Sequence, residues 1–292
     1  MATTKIQAAP QTAKRSFSAG SVISAIGRWI VRNRIYLIAF AIPAVLTYLA
    51  YALFGLYPFG EESVLCLDLN GQYVYYFEAL RDAFWGDGSI FYNWSRNLSG
   101  EFMGIIGYYL ASPFTLIVML LPEKFMLSSL LIMQLCKLGA AGATFNYFLQ
   151  KRRGVQPYPS LLFSTMYAMM AYGVIQLIDP MWLDGLVFLP LIMLGIEYLV
   201  DDGRRLNFII PLALMCVANF YIGYMICFFV ILYFLFYLCF GSDKKRKGYD
   251  YFTAFVRIAY SSVIALACAA FMLLPVYNAL KLGKFEFTDP DY

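Results

Sequence analysis

The stretch Leu67–Tyr73, L-D-L-N-G-Q-Y, sets a carboxylate, Asp68, just beyond a charge-free apolar run and next to Asn70, Gln72 and Tyr73. Those neighbours can donate and accept hydrogen bonds around a reacting group. The chain contains no histidine, which removes the commonest general base and the commonest metal ligand. Acid–base work therefore falls to carboxylates, and Asp68 is the best placed to take a proton. Three other polar motifs interrupt apolar sequence: Asp179–Gly185 (D-P-M-W-L-D-G), Asn219–Tyr224 (N-F-Y-I-G-Y) and Leu274–Asn278 (L-P-V-Y-N). They contribute Asp179, Trp182, Asp184, Asn219 and Tyr221 as candidate substrate-binding residues, joined by Glu101. Asp179, Asp184 and Glu101 are candidate second carboxylates, either to position the acceptor or to support a divalent ion, although their spacing is no metal signature. No cofactor is expected.

The elements that must position these groups are membrane helices. Of 292 residues, 61% are hydrophobic and 14% charged, against about 25% charged in a soluble domain, and the mean hydropathy is +0.66. Residues 35–57 carry no charge and exceed the roughly 20 residues that cross a bilayer. Further apolar runs at about 125–149, 159–178, 186–200, 207–222, 224–240 and 253–274 bring the expected count to seven spans. Residues 1–34, with Lys5, Lys14, Arg15, Arg28, Arg32 and Arg34 and no acid, read as a cytoplasmic basic arm. The clusters Lys151–Arg153, Arg204–Arg205 and Lys244–Lys247 fall on the same side under the positive-inside rule. The polar motifs then gather on the external face, with the acid-rich loop 58–124. Residues 275–292 read as the start of a further external segment that the chain cuts short.

Residues 105–121 are apolar but carry Ser112–Pro113 at their middle. If they spanned, the count would be eight and the triplet at 151–153 would lie outside. They read instead as an interfacial or re-entrant helix within the first external loop, a form tolerated where protein covers the backbone.

Lys137 lies near the centre of the run 125–149. A lysine at membrane depth is costly and points to function: it draws in a lipid phosphate, or, on the structural side, it pairs with a buried polar neighbour or snorkels to the interface. In the same run Gly139–Ala143 are all small, which allows neighbouring helices to approach closely. Asp68 has a second reading as a helix cap, and Asp179–Pro180 and Asp184–Gly185 as a turn and a helix start. For those two acids the structural reading is the stronger. Tyr221 and Tyr224 read as sugar-stacking faces or as members of an interfacial belt.

The motifs D-L-N-G-Q-Y, Y-Y-L-A-S-P-F, D-P-M-W-L-D-G-L and N-F-Y-I-G-Y-M, in this order, resemble the YfhO-type bacterial membrane proteins of the GT-C glycosyltransferase superfamily. The resemblance runs from about residue 30 to the end, and members of that family are much longer. It implies an all-α polytopic module in the bacterial plasma membrane, with a long first external loop containing membrane-parallel helices. It also implies transfer of a sugar from a polyprenyl-phosphate donor to a cell-envelope polymer of the teichoic or lipoteichoic type, with Asp68 at the position of the family's loop carboxylate. An inverting transfer needs such a base. The leaving phosphate needs cations, for which Arg81, Arg96, Lys281 and Lys284 are candidates. There is no nucleotide-binding glycine motif, which fits a lipid-linked donor, and no nucleic-acid partner is expected.

The rival reading is a transporter or flippase for a lipid-linked precursor. It should show polar residues deep in several helices and related halves, whereas here acids crowd into one loop. A third reading, an anchor or scaffold for envelope assembly, stays open.

Overall fold

The computed structural model describes residues 19–94, 100–242, 244 and 246–283. Arg96, Lys284, Lys245 and residues 1–18, singled out in the sequence, lie outside them. The described chain is almost wholly helical, with one two-residue hairpin, β1 (Tyr92–Asn93) against β2 (Gly100–Glu101).

Helix α1 covers Ala19–Leu53, so the basic stretch from residue 19 onward is helical and runs into the first apolar span without a break. A π-helical turn, Leu69–Tyr73, leads into α2 (Val74–Trp85). The apolar run with the serine–proline pair folds as α3 (Met103–Ile105) continued by a π-helical turn (Ile106–Leu110), a bend at 111–114, and α4 (Thr115–Leu120). Proline cannot donate a backbone hydrogen bond and disfavours helix in the residue before it. The run breaks at that point and turns back, so α3 and α4 form a hairpin that buries Ile105, Leu110 and Val118 and leaves Leu116 and Leu120 exposed.

The long helices follow: α5 (Met126–Arg152), α6 (Pro157–Ala168), α7 (Ala171–Ile175), α8 (Leu183–Asp202), α9 (Leu206–Ala218), α10 (Phe220–Phe236) and α11 (Gly248–Gly283). Among the described residues, five helical stretches are long and apolar enough to cross a membrane: Val22–Leu53, Glu123–Arg152, Pro180–Asp202, Phe220–Gly241 and Gly248–Lys281. Of the seven expected runs, 159–178 is divided between α6 and α7, and 207–222 is shortened to the 13-residue α9 because the chain leaves helical geometry at Asn219.

Side-chain pairs give the helices their direction. Tyr36 meets Tyr147 and the Tyr51 hydroxyl donates to Gln134, so α1 and α5 are antiparallel. Lys137 meets Asp184 while Arg152 meets Asp201, so α5 and α8 run parallel. That requires the return through α6 and α7. Tyr233 and Tyr237 reach Glu197 and Asp201, so α10 runs with α8, and α9 returns between them. A charged pole and a polar–aromatic pole result. At the charged pole Arg152 and Arg153 bind Glu197, which is fully buried, and Arg152 and Arg246 bind Asp201. Gly203, with φ +69°, closes α8 there in the left-handed conformation that glycine adopts without strain.

Three apolar clusters fill the interior: one among α8, α9, α10 and α11, one around the α3–α4 hairpin and α2, and one between α5, α6 and α8. The small residues of α5 act as expected. A Cβ on Gly142 would sit 2.5 Å from the Ala39 carbonyl oxygen, so α1 and α5 touch backbone to backbone. Outward faces of α1, α10 and α11 carry Leu46, Leu49, Phe228, Leu232, Val263 and Phe271, an apolar exterior suited to lipid.

Candidate functional site

Asp68 stands at the N-terminus of the π-helical turn, following Leu67, whose φ of +48° is rare for a residue with a bulky side chain. Such strain persists where the surrounding structure imposes it and is concentrated at functional sites. Asp68 makes no capping bond with its side chain. It is exposed, and its Oδ2 accepts from the Tyr73 hydroxyl at 3.3 Å. The same hydroxyl donates to Asp179 Oδ1 at 2.9 Å. Asp179 opens the short helical turn Pro180–Trp182, and its side chain is likewise not used as a cap. Burial, together with the two carboxylates, pushes the Tyr73 phenol above its usual range, so it stays protonated and remains a donor. Two acids distant in sequence thus share one donor, with Asp68 open to solvent and Asp179 half-buried.

The position of Asp179 is set from α5. Gln134 Nε2 donates to the Leu177 carbonyl at 2.6 Å, and Lys137 Nζ donates to the Pro180 carbonyl at 2.8 Å. These two side chains, one turn apart, grip the backbone on either side of Asp179. Lys137 also pairs with Asp184 Oδ2 at 2.7 Å, and Ser112 Oγ donates to Asp184 Oδ1 at 2.8 Å. All three are buried. Of the sequence readings of Lys137, the geometry matches pairing with a buried neighbour. The bend of the α3–α4 hairpin is thereby fastened to the start of α8.

A path of aromatic rings connects the motifs. Tyr73 lies 5.1 Å from Tyr109, Tyr109 lies 4.5 Å from Tyr108, and Tyr108 lies 5.9 Å from Tyr221 and 5.5 Å from Phe220, centroid to centroid. Tyr76 joins at 5.1 Å from Tyr109. Asn219 holds the far end: its Oδ1 accepts from the Ile222 amide at 2.9 Å, capping α10, and its Nδ2 donates to the Tyr108 carbonyl at 2.8 Å. Trp182, half-buried, packs against this cluster.

The structure therefore brings Asp68, Tyr73, Asp179, Trp182, Lys137, Asp184, Asn219 and Tyr221 to one pole. Asn70 and Gln72 share that pole but point outward and are exposed. Glu101 is engaged with the Gly104 amide at 2.8 Å, at the start of α3, and serves the hairpin. Arg81, expected to face a phosphate, directs its Nη1 at the carbonyls of Val118, Met119 and Leu121. Lys281 is exposed near the end of α11. Among the described residues, no three Cys, Asp or Glu side chains form a group that could hold a metal. Ser112, Tyr108 and Tyr109 were not singled out as site residues, although the Y-Y-L-A-S-P-F motif and its proline break carried the signal.

No solved structure matches this chain. An uncharacterized protein YfhO of Bacillus subtilis (strain 168) is 27% identical over 168 residues, which cover 51% of this chain and 19% of that protein. The chain thus aligns with about a fifth of the length of that curated relative. The family model described as bacterial membrane protein YfhO matches residues 39–290, nearly the whole apolar module and all four motifs, and the chain belongs to that family.

Proposed function

We propose that this chain forms the substrate end of a membrane glycosyltransferase, which moves a sugar from a polyprenyl-phosphate donor to a cell-envelope polymer of the teichoic or lipoteichoic type. The observation that carries the reading is the exposed Asp68 carboxylate, held by Tyr73 against Asp179 at the pole opposite Arg152, Arg153 and Arg246. With that basic pole cytoplasmic, the chain passes between poles seven times, α6 and α7 together making one pass, and Asp68 faces outward. The α3–α4 hairpin is then re-entrant from the outer side.

In the proposed step Asp68 takes the proton of an acceptor hydroxyl as its oxygen attacks the anomeric carbon. The new glycosidic C–O bond forms while the bond from that carbon to the donor phosphate breaks, and the electron pair leaves with the phosphate. Tyr73, held neutral, orients the carboxylate by donating to it. Lys281 supplies positive charge at the same pole for the departing phosphate. The ring path from Tyr73 to Tyr221 offers faces for the sugar. A carrier has less support, because the buried Lys137–Asp184 pair is closed on itself and on Ser112.

The test is mass spectrometry of envelope polymers from cells lacking the full-length protein, complemented with wild type or with Asp68→Asn. Loss of a sugar substituent that wild type restores and the variant does not is the expected result. Unchanged polymers in the deletion strain overturn glycosyl transfer and favour transport or assembly, while full rescue by Asp68→Asn removes this residue from the chemistry.

A further inference from the structure

Helix α2 has two faces. Val74, Phe77 and Leu80 are buried against the α3–α4 hairpin, whereas Tyr75, Glu78, Asp82 and Trp85, at helical spacing on the other side, line a cavity of about 510 Å³. Asn93 of β1 and Glu123, ahead of α5, complete its walls. The volume is in the range of small-molecule sites, about 300–1,000 Å³. The polar groups of the mechanism above do not enter it.

The groove is held open by fixed contacts. Trp85 Nε1 donates to the Met119 carbonyl at 3.0 Å, and Arg81 Nη1 donates to the carbonyls of Val118 and Leu121 beside it. These bonds anchor α2 to the end of α4 while most of the Trp85 and Tyr75 surfaces stay exposed, at 70% and 59%. Two exposed aromatic faces suit the apolar side of a sugar ring, and carboxylate and amide oxygens suit its hydroxyls or an amine. Burial and the neighbouring Glu123 raise the Glu78 carboxyl above its usual range, which marks how closely these acids are set. Three carboxylates face one guanidinium already engaged with backbone, so a bare polyanion is repelled.

We propose that this groove is a binding subsite for an uncharged or amine-bearing saccharide, the sugar-containing part of the acceptor. The proposal rests on the glycosyl-transfer reading for the word acceptor, and on the cavity alone for the saccharide. Groove and base share one continuous helical stretch, Leu69–Trp85. At 1.5 Å per residue, Asp68 and Glu78 are on the order of 15 Å apart along its axis, a span that a short oligosaccharide bridges.

The experiment uses the full-length protein in lipid nanodiscs and isothermal titration with three probes: a trimer of N-acetylglucosamine, its N-deacetylated form, and a sulfated trisaccharide. The first two are expected to bind and the third not. Tyr75→Ala should weaken binding at least about fivefold, the scale of a lost aromatic contact, and Glu78→Gln should weaken the amine-bearing trimer selectively. Both residues are exposed, so both variants should fold even where Trp85→Ala does not. Equal binding of the sulfated probe, or binding unaffected by both groove variants, overturns the proposal. The selective pattern in a protein whose deletion leaves envelope sugars unchanged keeps the groove and removes the transfer reading, whereas Asp68-dependent transfer without saccharide binding does the reverse.

Discussion

Tyr73 and Asp179 lie 106 positions apart and meet through a hydrogen bond of 2.9 Å, with Asp68 on the other side of the same phenol at 3.3 Å. That hydroxyl is the joint between the loop motif and the turn ahead of α8. Tyr73→Phe keeps the ring packing and removes the donor. Hydrogen bonds to charged groups contribute about 1.5–3 kcal/mol, so a stability loss toward the lower end is expected, since Asp68 is solvated. The proposed sugar transfer should be lost while the protein stays folded. Transfer by the phenylalanine variant at the wild-type rate would show that the phenol orients nothing.

The buried pair Lys137–Asp184 gives a second test. Lys137→Met leaves the Asp184 carboxylate without its counter-charge, held by Ser112 alone, at a fully buried site, where breaking a pair costs about 3–5 kcal/mol. Replacing both partners, as Lys137→Met with Asp184→Leu, should recover much of that loss in thermal unfolding of the detergent-solubilised protein. If the double variant is as damaged as the single one, the grip of Lys137 on the Pro180 carbonyl is the larger contribution.

Asn219 both caps α10 and holds the Tyr108 carbonyl. Asn219→Asp keeps the acceptor and loses the donor, while Asn219→Ala loses both. A cap is worth about 0.5–2 kcal/mol, so the alanine variant should melt lower and the aspartate variant should lie between it and wild type. Equal melting of alanine and wild type would remove the capping account.

The backbone contact between α1 and α5 predicts that Gly142→Val disrupts the pair. A Cβ there meets the Ala39 carbonyl oxygen at 2.5 Å and Pro43 Cγ at 3.0 Å, and neither is the end of a flexible chain. A loss of about 1–3 kcal/mol is expected, with Gly27→Val, where a Cβ meets nothing within 4 Å, as the comparison. Equal effects at the two positions would show that close approach is not what Gly142 provides.

Glu78 yields a pH prediction. Its carboxyl is raised by burial and by Glu123, so the folded state holds the proton more tightly than the unfolded chain does. The stability this contributes is present at acid pH and is lost as pH rises above the ordinary glutamate range. The residue is largely exposed, so solvent screening keeps the effect small. Glu78→Gln should therefore melt slightly higher than wild type near neutrality and match it in acid; a lower melting point near neutrality would reverse the sign.

Composition and the spacing of charges determined that this is a helical membrane protein, and four short motifs carried the family. The break at Ser112–Pro113 was legible as well, because proline's missing donor acts locally. Small residues on α5 foretold close packing for a similar reason: the absence of a side chain is visible in the sequence. Asp68, Asp179 and Asn219 could be named as candidates from residue type and position alone. What only the tertiary structure decided is which of these groups meet. Nothing local in the sequence pairs Tyr73 with Asp179, or Lys137 with Asp184, since each contact forms only when α6 and α7 carry the chain back and set α8 parallel to α5. The same holds at the charged pole, where Glu197 on an apolar helix receives Arg152 and Arg153. Side-chain charge and hydropathy act over a few residues, whereas the partner of a buried charge is chosen by the packing of whole helices.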